Sequence, residues 1–123
     1  MNVTLSNSKK IKNYLILSFN GICGVGSVGN IDADYIIECL KEELKNDKNL
    51  QGVILDFSGM QYKFGNRIAK ILDSNILKPN SILYIRIIPK EGDFENWKTL
   101  IDDCTTKSYH DFLADTIEGA VMS

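Results

Sequence analysis

The sequence predicts a single α/β domain with a central mixed, mostly parallel sheet of about four or five strands and about four helices. Apolar runs of strand length alternate with segments of helical periodicity along most of the chain. Residues 53–57 are almost continuously apolar, as expected for a strand covered on both faces. The length of 123 residues suits one domain with a core of its own.

Composition and charge argue against several classes of function. The net charge is −2 and no block is rich in Lys or Arg, so we expect binding to neither nucleic acid nor membrane. Lys9, Lys10 and Lys12 precede an apolar run, residues 14–19, that is too short for a signal peptide or a membrane span. The abundance of Asn, Ile and Lys is typical of AT-rich bacterial genomes.

The cysteines and the single histidine offer little scope for metal or redox chemistry. Cys23, Cys39 and Cys104 are odd in number, and no two have the two-residue spacing of a zinc or redox motif. Free thiols fit a reducing cytoplasm, where we expect the protein to be located. Nothing in the spacing favours His110 as the base of a cysteine nucleophile. We therefore expect no metal, no cofactor and no catalytic residue.

The first elements are predicted from polarity and glycine content. Residues 1–10 are polar and are expected to form a flexible tail, which leaves residues 11–123 as the domain. Residues 14–19 should form a strand, and the glycine-rich residues 20–30 a turn and a loop.

The first helix is predicted from a cap and a 3.6-residue period. Asp32 is a good N-cap, and the helix should end near residues 46–49. Its buried stripe is predicted to contain Ala33, Ile36, Ile37, Leu40 and Leu44. Its solvent face is predicted to carry Glu38, Lys41, Glu42 and Lys45, paired three residues apart.

A strand, a turn, a helix and a strand should follow. Residues 53–57 are predicted to form the central strand and residues 58–62 a polar turn. A helix should begin near residues 64–66. Residues 82–88 should form another central strand, ended by Pro89, which cannot donate to a strand ladder.

The last elements are predicted from capping residues and spacing. Asp93 should cap a helix whose apolar face is predicted to contain Phe94, Trp97, Leu100, Ile101 and Cys104. Residues 108–110 are predicted to form a weak, short strand, and Asp111 or Asp115 to cap a final helix.

A glycine motif between the first strand and the first helix is the sharpest sequence pattern. Gly24, Gly26 and Gly29 form GxGxxG, which in dinucleotide-binding folds lets a pyrophosphate approach backbone amides at a helix start. The capping residue Asp32 predicts a later helix start, and Asp56 lies further on than the usual ribose acid. A flexible loop is the competing interpretation.

Asp56 lies at the end of the predicted central strand. The carboxyl ends of strands are where open α/β sheets bind ligands, so this acid could contact a ribose, a metal or a partner. We favour a local role instead, in which Asp56 accepts N–H bonds from residues 58–62.

The chain resembles the STAS domain of sulfate transporters and antagonists of anti-sigma factors. Residues 17–21, LSFNG, resemble its first strand and glycine, and residues 53–60, VILDFSGM, resemble its "vvlDlsgv" strand. Tyr62 and Ile68 keep the spacing of its turn and second helix. The resemblance implies a small α/β domain that binds protein partners.

One feature of that family is missing. In regulatory STAS domains a Ser or Thr opens the second helix and is phosphorylated by the partner kinase. The matching residues 64–67, Phe-Gly-Asn-Arg, include no hydroxyl group. A phosphate switch at that helix start is therefore not expected, whereas Arg67 adds a positive charge there.

We expect a non-catalytic, intracellular protein-interaction module with a regulatory role. Its partner surface is predicted to include Ser58, Gln61, Tyr62, Lys63, Asn66 and Arg67. The alternatives are an immunity- or antitoxin-like protein that binds a toxin, and a nucleotide-binding domain that uses residues 24–29. The oligomeric state is open, with a homodimer as one option.

Overall fold

The structure is a computed structural model that describes residues 3–23, 26–46, 50, 52–62, 68, 84–104, 112–117 and 119. Six elements lie within these ranges: β1 (Val3–Ile11), β2 (Tyr14–Cys23), α1 (Gly26–Asn46), β3 (Gly52–Tyr62), β4 (Tyr84–Ile88) and α2 (Phe94–Cys104).

The strands form one mixed sheet in the order β1-β2-β3-β4. β1 is antiparallel to β2, whereas β2, β3 and β4 are mutually parallel. This confirms the predicted α/β class and the mostly parallel sheet. The described part of the chain contains two helices rather than the predicted four or so. The helix predicted near residues 64–66 lies, apart from Ile68, outside the described residues, as does the strand predicted at 108–110.

The prediction of a flexible tail over residues 1–10 is wrong for the residues described. Val3–Ile11 is a strand that pairs with β2 from Val3↔Gly21 to Ile11↔Tyr14, and Val3 is fully buried. Its polar centre lies at the edge of the sheet, where exposed Lys9 and Lys10 are typical of natural edge strands. The polar sequence of β1 has no apolar pattern from which a strand could be predicted. The segment is a strand because its backbone pairs with that of β2.

α1 begins earlier than predicted. It starts at Gly26, so Asp32 lies inside the helix with a fully buried side chain rather than at its N-cap. Glycine has low helix propensity, but tertiary context routinely overrides local propensity. The predicted end near residues 46–49 is confirmed by Asn46.

The predicted faces of α1 are confirmed. Ala33, Ile36, Ile37, Leu40 and Leu44 are all buried, and Glu38, Lys41, Glu42 and Lys45 lie on the solvent side. The Lys45 ammonium lies 3.8 Å from the Glu42 carboxylate. α1 is also tied to β1, because the Leu5 N–H donates to the Tyr35 hydroxyl over 3.0 Å.

Two apolar clusters lie on opposite faces of the sheet. Alternate side chains of β2 divide between them, so that Leu15 and Leu17 join the larger cluster and Ile16 the smaller. The larger cluster is covered by residues of α1 and α2. The smaller consists of Tyr14, Ile16, Ile54 and Ile88, with Ala114 and Ile117 packed against it. Burial on both faces accounts for the continuous apolar run in β3.

Candidate functional site at the carboxyl end of the sheet

β3 continues through the residues predicted to form a polar turn. It spans Gly52–Tyr62, and residues 58–62 remain in the sheet, with Tyr62 in register with Cys23 of β2. The predicted turn is therefore wrong. Its polar and glycine residues adopt strand geometry because pairing with β2 satisfies their backbone groups.

A bulge interrupts the pairing of β2 and β3. Ser18 pairs with Asp56 and Asn20 with Gly59, so Phe57 and Ser58 together lie opposite Phe19. Such bulges bend a strand and redirect its side chains, and they are over-represented beside functional sites. Here the bulge lies where the apolar part of β3 gives way to its polar end.

The Asp56 carboxylate holds this bulge. Its Oδ1 accepts a bond from the Ser58 N–H over 3.0 Å and another from the Ser58 hydroxyl over 2.6 Å. Its Oδ2 accepts a bond from the Ser18 hydroxyl over 3.2 Å. The preferred prediction, a local role for Asp56 in binding the N–H of a following residue, is confirmed at Ser58. Both carboxylate oxygens are thus occupied by the protein's own donors.

Gly59 allows the Asn20 side chain to lie close over β3. A Cβ atom at this position would collide with the Asn20 Oδ1 and would lie 3.3 Å from the Phe19 carbonyl oxygen. Position 59 is therefore a glycine because β2 and β3 approach each other too closely there for a Cβ atom.

The end of β3 is fixed to the start of α2. The Tyr62 N–H donates to the Asp93 Oδ2 over 2.7 Å, and the Asn96 amide nitrogen donates to the Tyr62 carbonyl over 3.1 Å. Asp93 also supplies the carbonyl that accepts the first helical bond, from the Trp97 N–H over 3.2 Å. Asp93 precedes α2, as predicted, but its carboxylate reaches across to β3. No feature of the sequence indicates that second partner.

The prediction that Tyr62 is an exposed contact residue is wrong. Its side chain is only 3% exposed, and its ring centroid lies 4.4 Å from that of Trp97. Trp97 is fully buried, as predicted. Its ring stacks on that of Phe57, with the ring centroids 5.2 Å apart and an angle of 9° between the ring planes. These rings pack beneath the end of the sheet, and aromatic burial of this kind dominates core energetics.

The other predicted partner residues divide between two groups. Ser58 is exposed and Gln61 is half-buried, both on β3. Lys63, Asn66 and Arg67 lie outside the described residues.

The glycine motif is only partly described. Gly26 and Gly29 belong to the first turns of α1, whereas Gly24 lies outside the described residues. α1 starts just after Cys23, which pairs with Tyr62, so Gly26 and Gln61 lie at the same end of the sheet.

Three exposed apolar side chains lie towards this end of the sheet. One of them is Phe94, which was predicted to share the apolar face of its helix with Trp97 and is exposed instead. Within the described residues the exposed large apolar side chains are Ile22, Ile31 and Phe94, with 47%, 58% and 37% of their surface accessible. Ile22 is next to last in β2, and Phe94 follows the Asp93 that binds Tyr62. Ile31 lies about 8 Å along the axis of α1 from its first residue. We call Ile22, Ile31, Phe94, Ser58 and Gln61 together the carboxyl-end surface. Ile31 and Phe94 belong to the helices that cover the larger cluster, whereas Ile22 and its register partner Gln61 alternate with residues of that cluster and lie on the other face.

The described thiols are unsuited to nucleophilic chemistry. Burial raises the pKa of Cys23 to about 11, and the nearby negative charge of Asp32 acts in the same direction. Burial also raises the pKa of Cys39. Because the thiolate is the reactive form, both groups are almost fully protonated and inert near neutral pH.

Metal clusters and membrane-spanning helices are both missing from the described ranges. These ranges contain no group of three or more His, Cys, Asp or Glu arranged to hold a metal ion. No helix among them is both long and apolar enough to cross a membrane.

Comparison with known proteins gives a match in structure but not in sequence. No protein-family model and no curated protein matches the sequence. The fold is similar to the crystal structure of an anti-sigma factor antagonist from Mycobacterium paratuberculosis, with a TM-score of 0.57 and 11% sequence identity. The match covers 98% of this chain and 92% of that one. The chain therefore has the STAS-type fold of an anti-sigma factor antagonist, as the resemblance of residues 53–60 predicted.

Proposed function

We propose that this protein is a non-catalytic regulatory module that binds another protein through the carboxyl-end surface. The observation that carries the proposal is the placement of Ile22, Ile31 and Phe94 at one end of the sheet. Single exposed apolar residues are common on any protein. Their position towards one end of the sheet, beside the polar residues Ser58 and Gln61, is more informative, because protein interfaces combine apolar contacts with a polar rim.

The polar residues of the carboxyl-end surface support a binding role rather than a catalytic one. Ser58 is exposed, but its hydroxyl donates to Asp56, whose other oxygen is bound by Ser18. Asp56 is therefore engaged in holding the bulge. Gln61 offers an amide group that suits hydrogen bonding at the rim of an interface.

The backbone beneath this surface is held in place by α2. Asp93 and Asn96 bind the two backbone polar groups of Tyr62, and Trp97 packs against its ring. A surface fixed before binding loses little conformational entropy when a partner arrives, which favours affinity.

One solved structure with a similar fold is that of an anti-sigma factor antagonist. By analogy we propose a protein partner of the anti-sigma factor type for this chain. Residues 64–67 carry no hydroxyl group, so control of binding by phosphorylation at that position is not part of the proposal. Lys63, Asn66 and Arg67 remain proposed contacts, because they follow β3 closely in the sequence.

The experiment first identifies a partner by mass spectrometry after affinity purification with the tagged protein, and then measures binding of the purified partner by calorimetry. The double variant Ile22→Ser, Phe94→Ser should weaken binding at least about 10-fold, as expected for loss of apolar interface contacts. The matched control is Lys12→Ala, an exposed change in the turn between β1 and β2. An unchanged Kd for a folded double variant would exclude this surface.

A second pair of variants tests the polar rim. Gln61→Ala and Arg67→Glu should each weaken the same complex, the latter more strongly at low salt if the partner is acidic. Tyr62 is unsuitable for this purpose because its replacement would disturb the core. If neither variant changes the affinity, the contact does not include this part of the chain.

A nucleotide-binding role is the second candidate. It is supported by the start of α1 at Gly26, inside the GxGxxG motif, because helix N-termini provide amide donors for phosphate. Calorimetric titration with ATP, GTP and NAD provides the test. A Gly26→Ala variant should bind a nucleotide more weakly if the motif is responsible, and flat titrations of the unmodified protein would exclude this role.

A further inference from the structure

β1 forms the margin of the described sheet, and its central part is polar and accessible. It stands first in the strand order, next to β2. Residues 6–10 are all exposed, five in succession. Because successive side chains of a strand point to opposite faces, side chains on both faces of β1 are accessible to solvent here. This part of the strand is therefore within reach of another polypeptide.

The direction of the β1 backbone groups follows from one hydrogen bond. The Leu5 N–H donates to the Tyr35 hydroxyl of α1, so it points away from β2. In an antiparallel pair, residues that bond the neighbouring strand alternate with residues that do not. Leu5 and Ser8 are in register with Phe19 and Leu17, two positions apart on β2, so Ser8 belongs to the same set as Leu5. Ser8 therefore presents its N–H and its carbonyl to the outside of the sheet, whereas the residues on either side of it bond β2.

The segment that contains β1 carries side-chain charge of one sign. Lys9, Lys10 and Lys12 are its charged residues, and the first acid of the chain is Asp32. Residues 32–123 carry eleven basic and sixteen acidic residues, so the charge of the chain is unevenly distributed. Lys9 and Lys10 are exposed, and as neighbours in a strand they lie on opposite faces of β1. A positive charge thus lies on each face of this edge.

We propose that the outer edge of β1 binds an extended, acidic segment of a partner protein, which adds to the sheet as a further strand. The edge offers hydrogen bonds at Ser8, and Lys9 and Lys10 complement acidic side chains on the added strand. The same lysines disfavour pairing with β1 of a second copy, because like charges on adjacent strands repel each other. Charge complementarity therefore specifies the occupant.

This site is separate from the carboxyl-end surface. Lys10 pairs with Leu15, and Ile22 lies seven residues further along β2, roughly 20 Å away. The proposal therefore does not depend on the function proposed for the carboxyl-end surface, and each can fail without the other.

The test titrates the full-length, isotope-labelled protein with three capped hexapeptides, followed by NMR shifts of the β1 amides. The first peptide is Val-Thr-Glu-Glu-Thr-Val, the second is the same peptide with all backbone nitrogens methylated, and the third has Lys in place of both Glu residues. We expect the first to bind and the other two to bind at least about 10-fold more weakly, because they lose the hydrogen bonds or the charge complementarity. If the acidic peptide and its methylated form bind equally, or if no peptide binds at millimolar concentration, the proposal is wrong.

Amide hydrogen exchange distinguishes strand pairing from charge attraction alone. With the acidic peptide at ten times its Kd, exchange of the Ser8 N–H should slow about 10-fold. The N–H groups of Asn7 and Lys9, which the alternation assigns to bonds with β2, should change much less. An acidic peptide that binds without slowing exchange at Ser8 would overturn the proposal.

A charge-reversal variant tests the role of the two lysines. Lys9→Glu, Lys10→Glu should bind the acidic peptide at least about 10-fold more weakly. The matched control Lys41→Glu, Lys90→Glu makes the same change in net charge at exposed positions outside β1, and its affinity should stay within about 3-fold of the wild type. Circular dichroism checks that both variants are folded. Equal losses in the two variants contradict the proposal, as does a wild-type dimer in sedimentation that the edge variant abolishes, because β1 then pairs with a second copy.

Discussion

Two carboxylates, those of Asp56 and Asp93, fix the end of β3, and only one of their bonding partners could be predicted from the sequence. Asp56 binds Ser58, two residues away, which is a local pattern that turn chemistry predicts. Asp93 binds Tyr62, a partner thirty-one positions distant, which no local pattern predicts. Of the proposed contact residues, Ser58 is exposed as its place in a contact surface requires, whereas Tyr62 is buried.

Replacement of Asp93 should destabilise the protein. Asp93→Ala leaves the Tyr62 N–H buried without its acceptor, and we expect the free energy of unfolding to fall by about 1–3 kcal/mol. Urea denaturation measures the change. The control Asp103→Ala, at an exposed position of α2, should alter stability by less than about 0.5 kcal/mol. Equal effects of the two variants would contradict the assigned bond.

Cys23 should make stability fall at alkaline pH. Its pKa rises from 9.0 to about 11 on folding, so the folded state holds its proton more tightly than the unfolded state. The resulting stabilisation is complete below pH 9 and is lost as the pH rises from 9 through 11. Its loss reaches at most about 1.4 kcal/mol per pH unit. Urea denaturation of the wild type and of Cys23→Ala between pH 9 and 11 measures the contribution of the thiol to the free energy of unfolding. If this free energy fell equally with pH in the two proteins, the prediction would be wrong.

The helices and strands that could be predicted from the sequence are those whose apolar residues recur with a clear helical or strand period. α1 has a clear helical stripe, and its faces and its end agree with the structure. Its start at Gly26 does not, because glycine content lowered the local helix signal. β1 and the outer half of β3 have weak or polar patterns, and both are strands because β2 offers them hydrogen-bonding partners.

A substitution in β1 distinguishes a strand from a tail. Val3 is fully buried in the larger cluster, so Val3→Ala should lower the free energy of unfolding by about 1–2 kcal/mol through lost apolar burial. The neighbouring exposed residue provides the control, and Thr4→Ala should have a smaller effect. Thermal or urea unfolding measures both, and a silent Val3→Ala would indicate a frayed terminus.

At the scale of the whole molecule, the sheet is buried on both faces, although the clusters differ in size. The larger lies under α1 and α2, and the smaller is covered in part by Ala114 and Ile117. The apolar run of β3 predicted this two-sided burial. It did not predict that residues after α2 would cross the edge of β4 to supply part of the second cover.

Adjacent residues of β3 test the two-sided core. Ile54 faces the smaller cluster and Leu55 the larger, and both are fully buried. Ile54→Ala and Leu55→Ala should each lower the free energy of unfolding by about 2–5 kcal/mol, measured by urea denaturation. If Ile54→Ala lowered it by less than about 1 kcal/mol, far under the usual cost of such a truncation, the second face would be effectively open to solvent.

The sequence by itself determined the α/β class, the central strand, the buried stripe of α1 and the resemblance of residues 53–60 to a STAS domain. These follow from periodicity and short motifs, which are local properties of the chain. The tertiary structure alone decided that residues 3–11 form an edge strand, that Tyr62 is buried against Trp97, and that Asp93 holds the end of β3. The reason is physical: a backbone donor or an aromatic face is satisfied by whichever group lies near it in space, and that group is often distant in sequence.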